Sequence, residues 1–379
     1  MLEARTTRGG AVDPDGCPET PHTARDAMLV VEGVLAEHLD ARLCEAREVD
    51  TVFTRDVVER VAAFVQNGGR RLRTGFLWCG FQAVGGGTNP RALLRIGAAL
   101  ELLQTCALVH DDVMDGSPVR RGAPAVHAEF ARMHRVSDMK GAAETYSTAA
   151  AVLAGDLALA WADDLLTETA LASPHGRQLH GEWRAMRCEM VAGQYLDIRA
   201  QAAGSSAAEE ALRIATLKSA LYTVARPLAL GASLAGADAR ALDALHSAGR
   251  CAGLAFQLRD DLLGAFGDPA VTGKPADEDL RGRKLTYLLA VAVRLADASN
   301  DGEALAVLGP DDVSRSDDEI DRIRAALERT GARAVVETRI AELYTLSLRH
   351  FTAAGADRQA RREFASLMER AVFRNEGSQ

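Results

Sequence analysis

Apolar residues recur along most of the chain at roughly the three- to four-residue spacing of a helix, and the alternation expected of strands is almost absent. Helical periodicity begins near Ala24 and runs through Leu43, and a second helix is predicted over Asp56–Gln66. Gly85-Gly86-Gly87-Thr88-Asn89-Pro90 reads as a loop before a central apolar helix that ends at Asp115. Arg132–Ala143 reads as an irregular, mobile connection, and a long helix follows over Glu144–Leu171. Further helical patterns cover Trp183–Ala200, Leu221–Leu234 and Ala239–Leu263, and amphipathic helix runs from Tyr287 to about Phe373. Ser206-x-x-Glu209 and Ser316-x-x-Glu319 have capping-box spacing. Pro227 is expected to kink its helix. Residues 1–24, rich in Gly, Pro, Thr and charge, read as a disordered extension, and 25–379 as one all-α domain.

Composition narrows the partners. Hydrophobic residues make up 47% of the chain, enough for a large core. The net charge of −9 argues against nucleic acid or an anionic membrane surface as the main partner. Basic residues that bind an anionic substrate must therefore be concentrated locally. Six cysteines (Cys17, Cys44, Cys79, Cys106, Cys188, Cys251) are scattered without a CxxC or disulfide-like framework, so a reduced, cytoplasmic setting is expected. No signal peptide is read, and no uninterrupted apolar run reaches the roughly 18 residues of a spanning helix. Stable membrane insertion is not expected.

The chemistry gathers at the end of the central helix. Asp111 and Asp115 are i,i+4 and project from one face. Two carboxylates stacked at the end of an apolar helix repel each other without a cation, and Mg²⁺ takes one or two such ligands plus substrate phosphates. Arg120 and Arg121 follow the turn, forks suited to bidentate diphosphate contacts. A second acidic pair, Asp260-Asp261, ends another apolar run; two such helices facing across a bundle would line a cavity with carboxylates. Upstream, Asn67-Gly68-Gly69-Arg70-Arg71-Leu72-Arg73 sets backbone N–H groups at a helix start beside three arginines, which by itself reads either as a diphosphate cradle or as a capped turn with solvated arginines. Gln104 lies on nearly the same helix face as Asp111. His110 and His127 lack metal-ligand spacing, and His110 reads as a core or supporting residue.

In this order, the motifs resemble those of the trans-isoprenyl diphosphate synthases, the polyprenyl synthetase family, from about Gly68 to about Thr286. The resemblance implies an isoprenoid synthase-type helical bundle around a central cavity, Mg²⁺ (three ions), diphosphate substrates and a homodimer. Asp111, Asp115 and Asp260 would hold the metal. Gly69, Arg70, Arg73, Gln104 and Arg121 would bind isopentenyl diphosphate, with Arg70 standing where the family has Lys. Arg120, Lys218, Lys274 and Lys284 would bind the allylic diphosphate. Of the catalytic set Lys218, Ser219 and Gln257, Lys218 would neutralise the leaving diphosphate while the dipoles of Ser219 and Gln257 shelter the developing allylic cation; Ser219 stands where the family has Thr. Gly155-Asp156 resembles a family Gly-Asp pair, against the plain reading of an inward Asp with a structural hydrogen bond, and Gln194 and Asp197 a Gln-x-x-Asp helix that would orient water or basic side chains around the diphosphate. Two departures stand out: Gly264 replaces the last Asp of the second motif, and Arg283 the Gly before Lys284.

The implied reaction ionises an allylic diphosphate and adds isopentenyl diphosphate to the cation, with the departing diphosphate as proton acceptor. A class I terpene cyclase, a non-catalytic synthase subunit and a plain helical scaffold stay open as alternatives. Product length is read from the residues upstream of Asp111. In the family, aromatic residues at the fourth and fifth positions upstream stop the tail at fifteen carbons; here they are Ala107 and Cys106, with Leu103 and Leu100 further down. The expected product is geranylgeranyl diphosphate, with longer chains as the runner-up.

Overall fold

The computed structural model describes residues 20–87, 89–267, 278–282, 284–309 and 316–373. Residues 1–19 of the expected extension lie outside that set, while Thr23 already caps the first helix. The described chain is helical almost throughout and sorts into two compact units.

The first unit is drawn from residues up to Trp78, Gly87–Gly116 and Ala125–Pro174. Helix α1, Ala24–Val49, opens with a capping box between Thr23 and Asp26 and buries Ala27, Val31, Leu35 and Leu39 along one stripe. The second helix, α2, spans 51–66, five residues longer than the pattern predicted. Asp50 caps its start by accepting from Phe53 N at 2.7 Å, and a π turn at Thr54–Val58 widens it. Helix α3, Leu72–Ala83, begins in this unit and ends in the other.

Helix α4, Pro90–Asp115, is the axis of the unit. It starts with Asn89 as N-cap and Pro90 in the first turn, and stops where Gly116 takes the left-handed conformation (φ 66°). It is long and apolar enough to cross a membrane by length and composition, a property the search for uninterrupted apolar runs did not reveal. Most of its apolar window is buried, packed on α1 and on α6, Ala143–Leu171, so it is a core helix. Gly155 permits the approach to α6, because a methyl there would overlap the His110 ring. The expected irregular stretch Arg132–Ala143 is partly helical: α5, Val126–Val136, buries Val126, Phe130, Ala131 and His134 on one side. Their near-helical spacing was masked by the charged residues between them.

The second unit takes Cys79–Gly86, Ser117–Pro124 and the chain from His175 onward. Two-residue strands β1, Val119–Arg120, and β2, Ala123–Pro124, pair antiparallel around Arg121 and Gly122, both at positive φ. Helix α7 is Gly176–Ala202, and α8 covers 208–234 with a π segment at Ala215–Ala225. The expected Ser206 capping box is not formed: the helix starts at Ala208, and Ser205 Oγ donates to Glu210 at 2.5 Å instead. Pro227 sits in the first turn after the π segment, whose i→i+5 pairing carries the chain to a position where a missing N–H is tolerated. Helix α9, Ala239–Phe266, flanks the π segment on another side. Three glycines make room for this wide turn: Gly193 on α7 meets Lys218, and Gly249 and Gly253 on α9 meet Ala225 and Ala220. A short helix, α10 (Glu278–Arg281), precedes Lys284. The chain then runs through α11 (Tyr287–Ala298), α12 (Gly302–Leu308), α13 (Asp317–Arg329), α14 (Ala332–Ala353) and α15 (Arg358–Val372). Ser316 and Glu319 do form the predicted capping box at the head of α13.

Candidate active site

In the first unit the Gly-Gly loop runs between α2 and α3 with Gly68 at φ 78°, Gly69 at φ 141° and Arg71 at φ 45°. Arg70 is exposed and Arg73 half-buried, but Arg71 turns inward and is buried. Its guanidinium pairs with Glu32 at 2.7 Å and Glu101 at 3.3 Å, and that pairing outweighs burial to keep its pKa raised. Further along α4, Gln104, Asp111 and Asp115 are all half-buried, as their shared face requires, while Asp112 points into the core. Three carboxylates thus crowd the C-terminal end of a helix, where the dipole is negative and anions are disfavoured. Burial lowers the pKa of His127, against the opposing charge of Asp112. His110 packs as a supporting residue, its Nε2 3.1 Å from Val152 O and its Nδ1 3.7 Å from Cys106 Sγ. Asp156 is exposed rather than inward, 3.7 Å from His110 Nε2.

The residues read as setting product length divide. Ala107 is half-buried, one turn before Asp111 on its side of the helix. Cys106 and Leu103 are buried. Burial and the charges of Asp156 and Asp163 push the Cys106 thiol up to about 12, so it is an inert packing group on the α6 side of α4.

In the second unit Arg120 lies on β1 and Arg121 in the hairpin turn at φ 54°, where the I′-like turn presents it. Lys218 and Ser219 are half-buried on the π segment. Lys218 Nζ donates to Asp197 Oδ2 at 2.7 Å, so Asp197 orients a basic side chain as its helix motif implied. Gln257 Nε2 donates to Asp261 Oδ1 at 2.8 Å. Asp260 is half-buried and Asp261 buried. Burial first, then the charges of Asp279, Asp260 and Asp197, push Asp261 up to about 8 despite the Gln257 bond.

Asp279 is the residue that sequence reasoning missed. Gly264 leaves the last place of the second acidic motif without a side chain, and a Cβ built there would lie 3.0 Å from Asp279 Oδ2. Asp279 also meets Lys284 Nζ at 3.5 Å. A carboxylate fifteen positions downstream therefore borders the gap, and no local spacing announces it. Lys274 lies outside the described residues.

The donor set suits a divalent cation. Hard carboxylate oxygens crowd the end of α4, and on α9 burial first, then the charges of Asp279, Asp260 and Asp197, raise the Asp261 pKa. Among the described residues no three acidic, His or Cys groups converge as a closed cage.

The family model described as polyprenyl synthetase matches residues 55–327. The chain belongs to the polyprenyl synthetase family. The expected all-α fold and prenyltransferase class hold with it. A geranylgeranyl pyrophosphate synthase from Corynebacterium glutamicum, solved with isoprenyl diphosphate and magnesium, superposes with a TM-score of 0.87 at 39% identity, covering 92% of this synthetase and 99% of that chain. A (2E,6E)-farnesyl diphosphate synthase from Mycobacterium tuberculosis is 34% identical over 279 residues, 73% of this chain and 71% of the relative. A geranylgeranyl diphosphate synthase of the same organism is 33% identical over 270 residues, 71% of each. Relatives of near-equal similarity thus differ in product length, and the length this synthetase makes has to be argued from its own residues.

Proposed function

We propose that this synthetase condenses isopentenyl diphosphate head to tail with allylic diphosphates, in trans geometry, and releases geranylgeranyl diphosphate as its main product. The observation that carries the reading is an acidic pair at the C-terminal end of α4, where the helix dipole disfavours anions, and another acidic pair, Asp260-Asp261, on α9. Asp111, Asp115 and Asp260 would hold Mg²⁺, three ions by the family's pattern, which supplies charge neutralisation as the allylic C–O bond breaks.

Arg120, Lys218, Lys274 and Lys284 bind the allylic diphosphate and offset the charge that accumulates on it. Asp197 keeps the Lys218 ammonium directed, so no reorganisation is needed when that charge develops. Ser219 offers its hydroxyl dipole, and Gln257, its NH₂ committed to Asp261, offers its amide oxygen to the allylic cation. Gly69, Arg70, Arg73, Gln104 and Arg121 hold isopentenyl diphosphate with its double bond aimed at that carbon, and much of the rate comes from this alignment. The proton lost at the end goes to the departing diphosphate.

The twenty-carbon product follows from Ala107, which is small and half-buried one turn before Asp111. A tail anchored at the aspartates descends about 5.4 Å per turn and passes Ala107. The similarity to a farnesyl synthase favours fifteen carbons as the second reading. Mass analysis of products from labelled isopentenyl diphosphate with each short allylic primer decides between them. The same incubation without isopentenyl diphosphate separates a synthase from a terpene cyclase. The protein works in the cytoplasm as a homodimer of single-domain chains. Exposed Val152 and Leu153 on α6, and exposed Val191, Tyr195 and Ile198 on α7, support a partner chain.

A further inference from the structure

Three arginines crowd the Gly-Gly loop, and one of them behaves unlike the others. Arg70 is exposed and Arg73 half-buried, while Arg71 between them is buried at 5% exposure. Arg71 adopts φ 45°, a left-handed conformation uncommon for a long side chain, which persists only where its surroundings over-determine it. Four hydrogen bonds do so. Nε donates to Glu32 Oε1 at 2.7 Å, and Nη2 to Glu32 Oε2 at 3.1 Å and to Val65 O at 2.7 Å. Nη1 donates to Glu101 Oε2 at 3.3 Å, and Glu101 Oε1 accepts from Thr74 Oγ1 at 3.3 Å. One loop residue is thereby fastened to α1, α2 and α4, and its own carbonyl accepts from Gly75 N at 3.1 Å as α3 begins.

We propose that Arg71 is the positioning residue of the isopentenyl diphosphate pocket, an inference that rests on the reading that Arg70, Arg73 and Gln104 bind that substrate. The backbone of residues 70 to 73 carries two of those groups. Glu101, which Arg71 grips, precedes the third by three residues on α4, nearly one helical turn. Anchoring the loop through Glu101 therefore sets Arg70 and Arg73 in register with Gln104. Only a guanidinium fork satisfies a side-on carboxylate, a carbonyl and a second carboxylate together; a lysine ammonium is a single point charge. Loss of the fork leaves the charge of the pocket unchanged and releases its geometry.

The test compares wild type with Arg71→Lys, Glu32→Gln and Arg73→Ala, each below its own unfolding midpoint. It measures KM for both substrates, kcat, and calorimetric Kd for isopentenyl diphosphate. Arg71→Lys is expected to raise KM and Kd for isopentenyl diphosphate about tenfold, with the allylic KM changed less than about twofold. Glu32→Gln, at a half-exposed partner, gives a smaller shift in the same direction and serves if Arg71→Lys does not fold. Equal changes in both KM values, or none, overturn the positioning role while an Arg73→Ala effect keeps the pocket reading. An Arg73→Ala variant with unchanged KM for isopentenyl diphosphate overturns that reading, and the inference with it.

Discussion

Lys218 Nζ lies 2.7 Å from Asp197 Oδ2, and the pair meets because Gly193, one turn before Asp197 on α7, has no side chain. A Cβ at 193 would overlap the Lys218 backbone, lying 2.6 Å from its Cα, and backbone cannot rotate away as a side-chain tip can. Gly193→Ala should therefore cost about 1–3 kcal/mol of stability by overpacking. It should also chiefly impair use of the allylic substrate, the effect expected of Lys218→Ala as well. Denaturant unfolding and separate KM values for the two substrates check both halves.

Asp111→Ala and Asp115→Ala should each lower turnover by orders of magnitude at saturating Mg²⁺, with the helical circular dichroism unchanged. Both carboxylates are half-buried at a helix end where the dipole opposes them, so removing one relieves repulsion rather than breaking the core. Activity near wild type in either variant would remove the metal assignment.

Acid stability should depend on Glu182. Burial works against its carboxylate, but the hydrogen bonds and charges of His246 and Arg226 prevail and lower its pKa from the ordinary 4.5. Arg226 is held by Glu189 as well, also on α7. A carboxyl with a lowered folded pKa stabilises the fold above its unfolded value and loses that contribution as the pH falls through the folded one. Glu182→Gln should thus be less stable than wild type at pH 7 by about 1–3 kcal/mol. The gap should close below about pH 4.5 as both side chains become neutral. Thermal midpoints of both proteins across that range supply the measurement.

Product length should respond unequally at neighbouring positions. Ala107→Phe should shorten the product to farnesyl diphosphate with the fold retained, since Ala107 is half-buried beside the aspartate face. Cys106→Phe should shorten it at a cost of about 1–3 kcal/mol, because Cys106 is already packed against His110. Leu103→Ala should lengthen it. Chromatography of extracted prenyl alcohols from each variant reads the outcome, and unchanged products from active Phe variants would show that this face does not meet the tail.

The helical class was legible in the chain alone because it rests on spacing within a few residues, and the order of the motifs carried the family resemblance that implied the reaction type. Asp111 and Asp115 share a face by helix geometry. The boundaries that failed were those where burial overrides local polarity, as in Val126–Val136, or where a cap chose a different partner, as at Ser205. What the sequence did not contain was the set of long-range pairings. Arg71 looked like its neighbours until Glu32 and Glu101 were placed around it, 39 and 30 residues away. Asp279 bordered the gap at Gly264 only once a short helix brought it there. The π segment at Ala215–Ala225, with three glycines opposite it, could not be read from periodicity, because an extra residue per turn arises from packing against α7 and α9. Residue type and spacing determined which groups can do the chemistry; tertiary contacts decided which of them are held still, because orienting a charge takes partners that only folding assembles.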